Sequence, residues 1–141
     1  MSKRPLGVWL ICAYFAWTTM NALVGVSYAF LSQDPDAAWG RDYYLSMNGW
    51  QVTYVVFSAF IAISAAVSLF LMRRIAAPLF TGVFALGIVS AIWQVRSGWI
   101  ADRGIEELGR QGVWIALGVG VALMAAIVAY VWWLLSKGRL A

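Results

Sequence analysis

Histidine is absent from this chain of 141 residues, cysteine occurs once, and aspartate and glutamate together number six. With Cys12 alone and no histidine, His-ligated haem, Cys/His zinc sites and dithiol redox chemistry have no ligand set within the chain. An intramolecular disulfide is impossible for the same reason. Charge of either sign is scarce: 11% of the residues are charged, against about a quarter in an ordinary soluble domain. So few charges could not cover a water-facing surface. No phosphate-cradling glycine loop appears, and no pair of carboxylates falls inside an apolar run. The acids lie in polar stretches, where tuning of a general acid or base by burial is hard to arrange. An enzyme is therefore the least supported class, and no catalytic residue, metal or cofactor is expected.

Apolar residues take the place of what is missing. They make up 63% of the chain, and the mean hydropathy is +0.79. Four apolar runs, at about 6–31, 49–72, 78–98 and 112–135, are each long enough to cross a hydrocarbon layer about 30 Å thick as a helix. The predicted fold class is all-α: a polytopic membrane protein whose four transmembrane helices form an up-down bundle in one domain, residues 1–141. Ser27-Tyr28-Ala29 after a basic start could be read as a signal-peptide cleavage site. The apolar stretch before it exceeds the roughly 7 to 15 residues of a signal core, so the first run is read as a span that starts at Pro5. Residues 32–48 read as a loop. The turn Ile75-Ala76-Ala77-Pro78 makes spans two and three an antiparallel hairpin. Residues 99–111 read as a second loop with room for a turn or two of helix, which would pair Arg103 with Glu107 and Glu106 with Arg110.

Charge sets the orientation. Lys3, Arg4, Arg73, Arg74, Lys137 and Arg139 fall on one side of this four-span arrangement with no acid among them. Asp34, Asp36, Asp42, Asp102, Glu106 and Glu107 fall on the other side with the remaining arginines. Retention of lysine and arginine in cytoplasmic loops predicts both termini inside, in a cell inner (cytoplasmic) membrane. Tryptophan supplies a second check, because its ring prefers the headgroup level. Trp50, Trp93, Trp99 and Trp114 lie near predicted outer span ends and Trp9, Trp132 and Trp133 near inner ones; only Trp17 falls near a span centre. The net charge of +4 thus sits at span ends and not in a stripe, which argues against nucleic acid as a partner.

Within lipid, small and polar residues mark where helices touch. Span one carries Gly7, Ile11, Tyr14, Thr18, Asn21, Gly25 and Tyr28 on one helix face. Span two carries Gln51, Tyr54, Ser58, Ile61, Ala65 and Ser68, and span three Val83, Gly87, Ser90, Gln94 and Ser97. Span four offers the small-residue stripe Gly118, Ala122, Ala125 and Ala129, read as a helix-packing surface together with Gly25 and Gly87. On that reading Gly118→Leu or Ala122→Leu disturbs folding or assembly more than Leu134→Ala does. The candidate binding residues are Tyr14, Thr18, Asn21, Tyr54, Ser58, Ser90 and Gln94, which could form a neutral polar path, and Arg96. The plainer reading is that they only fix the packing through interhelical hydrogen bonds. Asn21 is the foremost of them, since a mid-membrane amide is costly to leave unpaired. Arg96, about 12 Å outward from the centre of span three, can anchor at the interface by snorkelling or bind an anionic headgroup. Residues 39–44, rich in aromatics and charge, could dock a partner or lie on the bilayer surface.

Small four-span multidrug transporters carry a glutamate in their first span, and this chain has none there. Asn21-Ala22-Leu23-Val24-Gly25 and Phe70-Leu71-Met72-Arg73-Arg74 resemble a small four-span family associated with flipping of lipid-linked sugars. That resemblance implies lipid-type transport, but it covers only these two stretches. Ser68, Met72 and Ile75 replace the asparagine and aromatic expected around the twin arginine, so the chain is not assigned to that family. The expected function is that of a non-catalytic accessory or assembly subunit of a membrane complex, or of a small homo-oligomer. Its expected partners are the lipid bilayer and other membrane subunits or further copies of itself. Passive or lipid-type transport along the neutral polar path is the alternative.

Overall fold

Long apolar runs free of interior proline leave the backbone no partner in lipid except itself, and helices are the outcome. The computed structural model describes residues 4–96 and 99–140, without the side chains of residues 35–37, 39, 43, 94, 95 and 99–110. The described residues form α1 (Leu6–Leu31), α2 (Pro35–Ser46), α3 (Gly49–Phe70), α4 (Ala76–Arg96) and α5 (Trp99–Ser136). Four stretches are long and apolar enough to cross a membrane: Leu6–Leu31, Gly49–Phe70, Ala76–Trp93 and Gln111–Ser136. Their bounds follow the apolar runs to within a few residues.

Both predicted loops are corrected. Residues 35–46 are helical as α2, which starts at Pro35, where the missing N–H and fixed φ of proline suit a first helical residue. The Tyr28 hydroxyl donates to Asp34 Oδ2 at 2.9 Å, tying the end of α1 to the approach to α2. α2 then lies along α1. Gly40 permits this approach, since a Cβ built there would stand 3.1 Å from Ala29 Cβ. The stretch from Trp99 onward is not a loop either but the first part of α5, a single helix of 38 residues. The expected Arg103/Glu107 and Glu106/Arg110 pairs lie outside the described side chains.

Helix ends are stated clearly by local chemistry. At the start of α3, Asn48 Oδ1 accepts from the Gln51 N–H at 2.9 Å and Gln51 Oε1 accepts from the Asn48 N–H at 2.8 Å, a reciprocal capping box. Gln51 is thereby a cap, and not one of the interior polar groups of span two. The ends of α3 and α5 share one device. Met72 (φ 56°) and Gly138 (φ 65°) take the left-handed conformation. The Met72 and Arg73 amides donate to Leu69 O and Ser68 O, and the Gly138 and Arg139 amides to Leu135 O and Leu134 O. This is the double bond pattern of a Schellman turn. Each turn is followed at once by arginine.

The most extensive helix contacts are those of α1 with α2, α1 with α3, α3 with α4 and α4 with α5. The core gathers where α1 begins and α5 ends: Val8, Leu69, Ala76, Ala77, Phe80, Val131 and Leu134 are all fully buried. Phe15 meets Phe80 edge to face at 5.3 Å, and Trp9 meets Phe70 the same way at 5.4 Å. At this end a Cβ built on Gly7 would come within 2.5 Å of the Tyr130 ring, so α1 and α5 touch there only because residue 7 has no side chain. Arg74 Nε also donates to the Leu140 carbonyl at 3.4 Å. Beyond Phe15 the α1 face fades: Ala22, Gly25 and Val26 are exposed, and Ala29 is buried beside Gly40 of α2.

Leu134 is part of this core, which corrects its use as a tolerant comparison position. Truncating it opens a cavity inside the chain.

Candidate functional site

The polar residues of the spans are placed by helix phase, and phase separates them. Thr18 is half-buried and returns its hydroxyl to the Phe15 carbonyl at 3.1 Å. Ser58, half-buried, does the same to Val55 O at 2.9 Å. The Tyr54 hydroxyl crosses from α3 to donate to the Leu86 carbonyl of α4. Ser90, one turn further along α4, is half-buried and has a partner of its own. Tyr14 stands edge-on to Phe15 at 5.6 Å with its ring partly exposed. The hydrogen bonds of Thr18, Ser58 and Tyr54 thus end on backbone carbonyls and not on one another. Every buried core residue among those described is apolar.

Asn21 stands apart from these. It lies about 4 Å from the midpoint of α1 at 1.5 Å per residue. It is exposed, and it makes no hydrogen bond to any described residue. Gly25, one turn further along the same face, is exposed as well, with open space where a Cβ would go. Arg96 is exposed in the last turn of α4, where a cation complements the negative end of the helix dipole. The Gln94 side chain and those of Trp39 and Tyr43 in the aromatic segment 39–44 lie outside the described set.

The small-residue stripe of α5 faces away from the chain's own core. Gly118, Ala122, Ala125 and Ala129 are all exposed, and nothing approaches a Cβ built on Gly118. At 100° per residue this stripe sits nearly opposite Ile127, Val131 and Leu134, the residues by which α5 joins the core. Gly87 of α4 is likewise exposed with open space beside it. The core-facing side of α5 is made by larger residues, with Tyr130 set against Gly7 of α1.

Two features carry no clear signature in the sequence. Trp132 Nε1 donates to Thr81 Oγ1 at 3.0 Å while Thr81 donates to Ala77 O, a polar tie between α5 and α4. A groove of about 450 Å3 also runs between α1 and α3, lined by residues from Cys12 to Leu23 and from Ile63 to Leu71. Neither shows in a one-dimensional pattern, because each depends on how two helices are rotated against each other.

No protein-family model matches the chain, and neither a curated protein nor a solved structure matches it.

Proposed function

We propose that this chain is a non-catalytic four-span membrane protein that works by joining other membrane helices, as an accessory or assembly subunit or as a small homo-oligomer. Asn21 carries the reading. Its amide is exposed near the middle of an apolar helix and has no partner among the described residues. An unpaired polar group in hydrocarbon costs several kcal/mol by order of magnitude, and a helix from another protein can satisfy it. Gly25, one turn on, leaves room for such a helix to come close. The outward stripe Gly118, Ala122, Ala125 and Ala129 offers a second surface of the same kind. Transport along a polar path draws less support, because the hydroxyls of Thr18, Ser58 and Tyr54 are already engaged by backbone carbonyls.

In the membrane we infer an up-down arrangement with both termini cytoplasmic, in a cell inner membrane. Contacts of Trp9 with Phe70 and of Arg74 with Leu140 support placing the basic span ends on one side, and the retention of basic loops supports the cytoplasm as that side.

The test is the mass of the full chain extracted in mild detergent, measured by light scattering, for wild type and Asn21→Leu. The expected wild-type particle exceeds the 15.5 kDa of one chain after subtraction of detergent, either as a multiple of it or with a stoichiometric membrane companion. Asn21→Leu should shift it towards the single chain. A wild type that is already monomeric and alone, or an Asn21→Leu variant with unchanged assembly, defeats the proposal.

A further inference from the structure

The groove between α1 and α3 is open to the bilayer and almost wholly apolar. Cys12, Ala16, Met20 and Leu23 face it from α1, and Ile63 and Phe70 from α3. Along α1 the stretch from Cys12 to Leu23 measures about 16 Å at 1.5 Å per residue, from about 10 Å on the basic side of the helix midpoint to about 7 Å beyond it, a length that takes most of one acyl chain. The Cys12 thiol is turned onto the Ala66 carbonyl across the groove floor, with Sγ 3.7 Å from the oxygen. The thiol is thus engaged within the protein, and the Thr19 hydroxyl is the other polar group of the lining.

The mouth of the groove is of a different character. At its basic end the Arg4 guanidinium lies over the Phe70 ring, 4.1 Å from its centroid. The same ring is met edge-on by Trp9. Trp9 precedes Ala16 and Leu23 by seven and fourteen positions, so it extends the groove face of α1 by one more turn towards headgroup depth. Arg73 follows two residues after Leu71 and is exposed. Neither Arg4 nor Arg73 has a carboxylate partner among the described residues, and the acids nearest to them in sequence, Asp34 and Asp102, are 30 and 29 residues away. A guanidinium over the Phe70 ring, a second arginine two residues beyond Leu71 and an indole at the basic end of an apolar trough match one kind of molecule.

We propose that this groove is a binding site for an anionic glycerophospholipid. One acyl chain lies between α1 and α3, the phosphate is held by Arg4 and Arg73, and the Trp9 N–H points to the ester level. Charge complementarity distinguishes the site from ordinary lipid contact, because a zwitterionic headgroup brings its own cation to the two arginines. Basic clefts between transmembrane helices recognise acidic headgroups on these terms. The assignment stands apart from the association proposed through Asn21, whose side chain lies on a different face of α1, about 160° round from that of Leu23.

Native mass spectrometry of the full chain in a neutral detergent, with added phosphatidylglycerol or phosphatidylcholine of equal chain length, tests this directly. Wild type should retain one phosphatidylglycerol about tenfold more tightly than phosphatidylcholine, the factor expected of one charge-assisted hydrogen bond. Arg4→Gln, which lies before the first helix and leaves the core intact, should reduce that preference several-fold, leaving what Arg73 supplies. Ala16→Phe, which fills the trough, should lower retention of both lipids, while Ala85→Phe on an exposed face of α4 should not. Glycerol phosphate, which has the headgroup charge without a chain, should not displace the bound lipid. Equal retention of the two lipids by wild type, an unchanged preference in Arg4→Gln, undiminished binding in Ala16→Phe, or displacement by glycerol phosphate would each overturn the assignment. Circular dichroism of each variant separates loss of the site from loss of the fold.

Discussion

Replacing Gly7 by alanine tests the closest approach between α1 and α5. A Cβ at residue 7 would stand 2.5 Å from Cζ and Oη of Tyr130 and 2.8 Å from Cε1, whereas non-bonded carbon pairs settle at about 3.5 to 4.0 Å. The ring would have to withdraw by roughly 1 Å. Its retreat is opposed by Trp133, on which it stacks at 5.8 Å and 25°. Forcing an extra methyl into such a contact costs about 1 to 3 kcal/mol. Alanine returns up to about 1 kcal/mol through its better helix propensity. With that gain realised in full, the net effect of Gly7→Ala is a loss of about 0 to 2 kcal/mol. In a Tyr130→Ala background the obstacle is gone and only the propensity gain remains, so the same substitution should stabilise by up to about 1 kcal/mol. SDS titration of detergent-solubilised protein, followed by far-ultraviolet circular dichroism, measures all four corners of this double-mutant cycle. A Gly7→Ala effect of the same sign and size in both backgrounds would show that the glycine is not there for Tyr130.

Two further substitutions probe the seams. Phe80→Ala empties a fully buried position beside Phe15 and should cost about 3 kcal/mol. Phe60→Ala, at a ring 69% exposed, trades one lipid contact for another and should change the same unfolding midpoint little; equal effects would refute the placement of the core. Tyr54→Phe should lose about 0.6 kcal/mol, and no more than about 1.7, the range found for side-chain hydrogen bonds between helices in membranes, if its bond to Leu86 O holds α3 to α4. A larger loss in that titration would mean that the hydroxyl has another role.

The spans were legible because hydropathy over about 20 residues is a strong signal that needs no partner helix. α2 was not, since residues 35–46 are polar on average and interrupted by Gly40, which reads as a loop until Ala29 is seen to fill the space beside it. Better evidence lay in the local chemistry. Asp34-Pro35 is a helix-start signal, and Asn48 with Gln51 three residues on has the form of a capping box. Helix rotation was the part least available. Small residues at regular spacing mark a surface that another helix could approach, but Gly118 and Ala122 do not say whether that helix belongs to the same chain. In α5 the neighbour within the chain is met by Ile127, Val131 and Leu134, and the small face is left outward. Among the candidate polar residues, spacing does not disclose the partner: a serine or threonine in a helix satisfies itself on the preceding turn, as Thr18 and Ser58 do.

The concentration of fully buried side chains at one end of the molecule has a mechanical consequence. In the up-down arrangement proposed above, with α1 and α5 fastened at Gly7 and Tyr130 and with Gly25 and Gly118 exposed, the described side chains should make the cross-section stiffer at the basic end than elsewhere. Bilayer tension or a change of lipid shape would alter its area at one membrane surface more than at the other, and would bend it about the basic end.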